Sequence, residues 1–412
     1  MTQVVQDVDA LTERLRSRLR PDDVIVMSQA AAEPSPLLEA LHRAASAARG
    51  GTLYLATRIG TTFPAGLADE LRLVGLGGFG ANRSLVDAGV LDIAPLHLAG
   101  FARAIRRGEQ RVDVALVQVS PADPQGRHSL GLDASYTAAA IASARLVVAE
   151  VNARMPATAG HRRIDPEQLD LVLATDRPLP EFADAEPSRV ELRIAELAVP
   201  LIPDQATLQV GLGRAPRAVC RHLFGRRDLQ LHTGLLDDAQ FELVRNGAAQ
   251  GARTVAGVIA GSARLYAEVG DAGVQVRDAE QTHGLAVLAA LPRFTSVGTA
   301  LQIDLTGQVN AEVIGGRSVG AVAGLGDFVR GAALSEGGRS LLLLPSTARG
   351  GAVSRIVSQV EAVTVPRSDV DVVVTEHGVA ELRHATLPER AARLIAIAAP
   401  QHRPALSAAQ RR

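Results

Sequence analysis

The sequence contains no lysine and no tryptophan, and its single cysteine is Cys220. Every basic side chain other than histidine is therefore an arginine. Without a lysine amine, Schiff-base and pyridoxal-phosphate chemistry is excluded, and so is the phosphate-binding lysine of a Walker loop. One thiol forms no intrachain disulfide and no cysteine-rich zinc site, which suits a reducing compartment. No two histidines have metal-ligand spacing with a third ligand near, so no metal is expected. No stretch reaches 18 apolar residues free of a charge or helix breaker, so no membrane span is expected. Residues 1–20 carry Asp7, Asp9 and Glu13 among apolar positions, the pattern of a short amphipathic helix rather than of a signal sequence. A cytoplasmic location is expected. The net charge of −1 leaves no basic field for nucleic acid or for an anionic membrane surface.

What is present is a globular composition, 47% apolar and 21% charged, over 412 residues. That length is too great for one core and points to two or three domains. Short β-branched runs alternate with Ala/Leu/Arg-rich stretches. The runs include Asp23–Met27, Thr52–Ala56, Val112–Gln118, Leu146–Val151 and Leu169–Ala174, then Thr207–Val210, Leu229–His232, Thr254–Ile259, Leu341–Leu344 and Val370–Val374. Runs apolar on both faces fit strands of a parallel or mixed sheet covered by helices, an α/β fold. The proline- and acid-rich stretch Asp176–Val190 reads as a linker. An internal repeat agrees with it. Leu19-Arg-Pro21-Asp22 precedes one strand and Leu201-Ile-Pro203-Asp204 another; Pro34 and Pro216 follow, all at an offset of 182. The expected organisation is two tandem open α/β domains, 1–178 and 193–412, joined by 179–192.

Several motifs carry possible chemistry. Gly211-Leu212-Gly213-Arg214-Ala215-Pro216 turns a strand into a helix with proline in its first turn. Its backbone N–H groups suit a phosphate or a thioester oxyanion, or it is an ordinary corner. Gly75-Leu-Gly77-Gly-Phe-Gly80 has dinucleotide-loop spacing, but it follows a helical stretch and reads as a surface loop. His232-Thr233-Gly234-Leu-Leu-Asp237-Asp238 ends a strand and opens a helix. His232, Asp237 or Asp238 serves there as a base, or the two aspartates cap the helix. The glycine-dense segment Gly315-Gly316, Gly320, Gly324 reads as a functional loop. His377 either contacts a ligand or sits in a turn, and Cys220 reads as packed core.

Taken together, Val112–Gly126, Ala149–Pro156, Asp304–Glu312, Gly315–Arg317, Asp327–Gly331, Pro345–Thr347, Val353–Ile356 and Val374–Arg383 resemble the acetyl-CoA hydrolase/transferase family, which includes the 4-hydroxybutyrate CoA-transferases. The resemblance runs in order over residues 15–403. It implies class I CoA-transferase domains, an active site at their interface, and homodimers or larger assemblies. It also implies coenzyme A and short-chain acyl-CoA as substrates, a carboxylic acid as acceptor, and no resident cofactor. In that family a glutamate within H-T-E-M-x-S-D-G attacks the thioester and stores CoA as a glutamyl thioester.

The matching position here is Gly234, which has no side chain to attack with. The family's G-x-G-G-I-P turn becomes Gly211-Leu212-Gly213-Arg214-Ala215-Pro216, and its S-G-T-G-G-Q loop becomes Gly320-Ala-Val-Ala323-Gly324-Leu325. Gly211 through Ala215 are then expected at the oxyanion and CoA. Gly315, Gly316, Gly320, Gly324 and Arg349 are expected to bind CoA. His232, Asp237 and Asp238 are the candidate catalytic groups. Two functions follow: an acyl-CoA hydrolase or CoA-transferase with a non-standard mechanism, or a CoA-binding protein without catalysis, such as one subunit of a larger transferase. A sugar-phosphate isomerase rests on fold analogy alone, with no motif behind it.

Overall fold

The computed structural model describes residues 2–60, 63–182 and 185–410. The chain forms two compact units, Met1–Ala183 with Val255–Thr282, and Asp184–Thr254 with His283–Arg412. The contiguous division expected from sequence does not single out 255–282, which belongs with the first unit. Residues 183 and 184 of the expected linker lie outside the described residues. Its earlier part is held within the first unit: Tyr266 Oη donates to Pro180 O at 2.9 Å, and Phe182 N to Gly261 O at 2.9 Å.

The first unit is built on β1 (Gln3–Val5), β2 (Val24–Met27), β3 (Thr52–Leu55), β4 (Arg72–Gly75), β5 (Leu91–Ile93), β6 (Val114–Val119), β7 (Leu146–Asn152) and β8 (Leu171–Thr175). They pair in parallel in the order β1-β8-β7-β6-β2-β3-β4-β5. All six residues of β6 are buried, because helices cover both faces of a parallel sheet. The core includes Ile25, Leu38, Leu41, Leu53, Val114 and Leu171.

The chain passes through β9 (Thr207–Val210) and β10 (Gln230–Leu236) of the second unit. It returns to the first with the parallel pair β11 (Val255–Ile259) and β12 (Gln275–Val276), then resumes the second unit with β13 (Phe294–Thr299). A small sheet follows from β14 (Gln302–Asp304), β15 (Val309–Asn310) and, later, β21 (Ile356–Val357). Two hairpins join β16 (Val313–Ile314) to β17 (Arg317–Ser318), and β19 (Thr347–Ala348) to β20 (Val353–Ser354). The main sheet continues through β18 (Arg339–Leu343), β22 (Val372–Thr375) and β23 (Gly378–Glu381).

Within the second unit the order is β10-β9-β13-β18-β22-β23, with only β22–β23 antiparallel. The path β10-β9-β13-β18-β22 repeats β3-β2-β6-β7-β8, as a repeat at offset 182 leads one to expect. Each of the ten runs named from sequence overlaps a strand. Among the described residues no helix is long and apolar enough to cross a membrane.

Candidate functional site

In an open α/β sheet the ligand crevice opens beyond the carboxyl ends of neighbouring strands whose connections leave in opposite directions. In the second unit those strands are β9 and β13. β9 ends at Val210, and Gly211 N donates to Val297 O of β13 at 2.8 Å. Gly213 follows with φ 118° and ψ 170°, a conformation closed to side chains, and caps the helix Arg214–His222. The first-turn N–H groups of that helix therefore stand at the mouth of the crevice.

A cleft of about 430 Å³ opens there. It brings together three residues expected from sequence, Arg214, Ala215 and Gly320. It also includes Glu191, Thr299, Pro345 and Arg355, which the site reading missed. Arg355 had a signal, since it lies in the Val353–Ile356 motif. Glu191 had a misleading one. It completes a capping box at the start of the helix Arg189–Ala198, accepting from Ser188 N at 2.8 Å.

The cleft is electrostatically mixed. Burial pulls the Arg355 guanidinium down from its ordinary value, while Glu191 and Glu376 oppose that shift. Its Nε is buried, with no hydrogen-bond partner among the described residues. Burial pushes the Glu191 carboxyl up, but the Ser188 hydroxyl and N–H, with Arg214, hold it below the usual carboxylate range. Glu376 is fixed by Ser346, whose N and Oγ donate to it at 2.8 and 2.5 Å. An arginine held beside acids but with a donor to spare can take a carboxylate or phosphate oxygen.

Against β10, outside the cleft lining, lies a cluster of rings. His232 is buried, with its ring edge-on to Phe294 at 6.4 Å. Phe294 meets Phe328, and Phe328 lies 4.6 Å from the ring of His283. A Cβ on Gly234 would stand 2.7 Å from His283 Nε2, and a Cβ on Gly324 would stand 2.6 Å from the same atom. The imidazole thus occupies space that two glycines leave open. His283 was not singled out from the sequence, because no local pattern marks it. Thr233 points the other way and donates to Leu235 O at 3.0 Å.

Asp237 is the cap of the helix Asp238–Arg245, its carboxylate accepting from Gln240 N at 2.9 Å, and Asp238 is the first helical residue. Gly315 and Gly316 form the two-residue turn between β16 and β17, both at positive φ, and their N–H groups each donate to the Glu361 carboxylate at 3.0 Å. Those two donors hold Glu361 below the usual carboxylate range. Arg349 is exposed, at φ 51°, beside the β19–β20 hairpin. His377 sits in the β22–β23 turn. The reading that Gly75–Gly80 follows a helical stretch is corrected: Arg72–Gly75 is a strand, because Leu73 and Val74 pair with both β3 and β5. Cys220 is fully buried, and burial pushes its thiol up.

Comparison with known proteins follows this geometry. The acetyl-CoA hydrolase/transferase N-terminal domain matches residues 80–180, and the corresponding C-terminal domain matches residues 261–410. The chain is 34% identical over 407 residues to the 4-hydroxybutyrate coenzyme A transferase of Clostridium kluyveri, covering 96% of this chain and 95% of that one. The crystal structure of 4-hydroxybutyrate CoA-transferase from Porphyromonas gingivalis superposes with a TM-score of 0.81 at 32% identity, over 99% of this chain and 97% of that one. RipA from Yersinia pestis superposes with a TM-score of 0.90 at 29% identity, over 98% of this chain and 99% of that one. The chain therefore belongs to the acetyl-CoA hydrolase/transferase family.

Proposed function

We propose that this protein acts on short-chain acyl-CoA thioesters, as a hydrolase or a CoA-transferase, without storing CoA on a glutamate. The observation that carries the reading is Gly234, which stands where the resemblance places the attacking carboxylate and has the His283 ring against it. With no side-chain nucleophile there, the attacking group is a water or the acceptor carboxylate itself. Gly211 N is engaged by Val297 O, so the thioester oxygen is received by a backbone N–H further along the Gly211–Ala215 turn, and one such donor contributes about 3 kcal/mol to transition-state stabilisation. General-base help to water adds roughly 10²–10⁴-fold. His232 is the candidate base on the same face of β10, since Asp237 is committed to its helix. Arg214 and Arg355 take an anionic group of the substrate, a phosphate or a carboxylate. The same reading carries a cytoplasmic location and a homo-oligomeric state, the latter open to light scattering.

The experiment is a panel of acyl-CoAs, each with and without acetate or succinate. Thiol release without acceptor makes the protein a hydrolase; acyl exchange without thiol release makes it a transferase. Neither product, with CoA binding seen by calorimetry, supports the second reading, a non-catalytic binding subunit, which the missing carboxylate at 234 favours. No heat with CoA or its esters overturns both readings. Hydroxylamine trapping is expected to find no covalent CoA adduct at residue 234.

A further inference from the structure

We infer that Glu191 is the base that activates the attacking water in this protein. The inference rests on the acyl-CoA reading above and gives the role of base to a residue other than His232. An attacking water must lose a proton to a group that reaches the cleft. The cleft is lined by two arginines, one threonine, Glu191 and otherwise only alanine, leucine, proline and glycine. Arginine stays charged and threonine is a poor proton acceptor. Among the described residues of the lining, the Glu191 side chain alone can take the proton. The rings of His232 and His283 lie outside that lining.

The way this carboxylate is held separates its two oxygens. Ser188 N and Ser188 Oγ both donate to Oε2, the N–H at 2.8 Å, and so close the capping box of the helix Arg189–Ala198. Oε1 takes no hydrogen bond from another described residue. A capping box needs only one carboxylate oxygen. It fixes the plane of the group and leaves the other oxygen for water. Arg214, from the first turn of the helix Arg214–His222, and Arg355 both face Glu191 and favour its ionised form. Arg217 and Arg221 of the same helix turn instead to Glu186. On the packed β22–β23 pair, Glu376 is held by Ser346 and Glu381 by Arg339.

The step balances without another reagent. Oε1 accepts a proton from water as the water oxygen bonds to the thioester carbonyl carbon. The tetrahedral oxyanion then collapses, the carbon–sulfur bond breaks, and the Glu191 carboxyl returns its proton to the departing sulfur. The products are the free acid and the CoA thiol.

The test is thiol release from acyl-CoA by the full chain, by Glu191→Gln and by Ser188→Ala. Glutamine satisfies a capping box as glutamate does, so Glu191→Gln is expected to keep the melting temperature of the parent. It is expected to lower kcat about 100-fold or more with KM little changed. Ser188→Ala weakens the cap and keeps the base; it is expected to melt below the parent while retaining more than about a tenth of its kcat. The kcat of the parent should hold level from about pH 7 to pH 5, because the carboxylate stays ionised throughout, whereas an imidazole base would fail around pH 6.5. That profile reads the native chain and needs neither variant to fold. Overturning results are a Glu191→Gln kcat within about fivefold of the parent, a Ser188→Ala chain as slow as Glu191→Gln, or a parent rate that falls with an apparent pKa of about 6.5. A parent protein that releases no thiol overturns the acyl-CoA hydrolysis reading itself, which is a different failure from an active parent with an indifferent Glu191.

Discussion

In the first unit the polar groups beyond β2 and β6 bond to one another; in the second, a cleft opens beyond β9 and β13. After β2, Gln29 N donates to the buried Asp133 at 3.0 Å, and Gln29 Nε2 donates to Ser135 Oγ at 2.7 Å. Glu33 pairs with Arg58 at 3.2 Å, the two being 1% and 2% exposed. Arg177 donates to Glu33 O at 2.7 Å and holds Glu150 with two bonds of 2.7 and 2.9 Å. In the second unit Arg214 and Arg355 face a cleft instead. The same strand order thus yields one set of charges that holds the fold and one that is available to a ligand. An arginine should accordingly matter for stability in the first and for binding in the second.

The largest effect is expected from Arg58→Met. It leaves Glu33 buried without its partner, and breaking a buried pair from one side costs about 3–5 kcal/mol. Urea denaturation measures it, and a loss under about 1 kcal/mol would erase the contrast between the units.

Acid sharpens the same contrast. The His161 imidazole is lowered from 6.5 to about 4, first by burial and then by Arg163. Its Nε2 accepts from Leu130 N at 2.9 Å, which requires the neutral ring. Below pH 6.5 the unfolded chain takes up a proton that the native state refuses until about pH 4. Stability is therefore present above 6.5 and declines as pH falls through that window, by about 3 kcal/mol in all. Paired denaturation curves at pH 7 and pH 4.5 should show His161→Gln losing less over that interval than the parent.

Arg355→Met should leave stability nearly unchanged and raise KM for acyl-CoA about 10- to 100-fold, the worth of one or two charge-assisted hydrogen bonds. An unaltered KM would place the substrate elsewhere. The smallest effect concerns the loop beside the cleft. Ala323 sits at φ 44°, where the family pattern has glycine. Relief of that strain, less the backbone freedom glycine adds, should make Ala323→Gly more stable by about 0.5–1 kcal/mol. A thermal melt showing destabilisation would contradict it.

The strands were legible because a parallel strand covered on both faces is a continuous apolar run, as Val114–Val119 shows. The turn at Gly211–Gly213 was legible because a helix start after a strand needs glycine and tolerates proline in its first turn. The cleft was only partly legible. Arg355 and Glu191 lie 164 residues apart, and nothing local in Ser188–Glu191 distinguishes a helix cap from a cleft wall. Gly315 and Gly316 misled for the opposite reason. Glycine density marks a tight turn as readily as a ligand cradle, and here the N–H groups face Glu361.

By itself the sequence determined the α/β class, the twin halves, and the lack of a carboxylate at residue 234, because these depend on local periodicity, repetition and residue identity. The tertiary structure alone decided that 255–282 folds with the first unit and that Arg58 pairs with buried Glu33 while Arg355 faces a cleft. It also decided that His283 stands where Gly234 leaves room. Those outcomes depend on which distant side chains are brought within a few ångströms, and no property of a single segment encodes that.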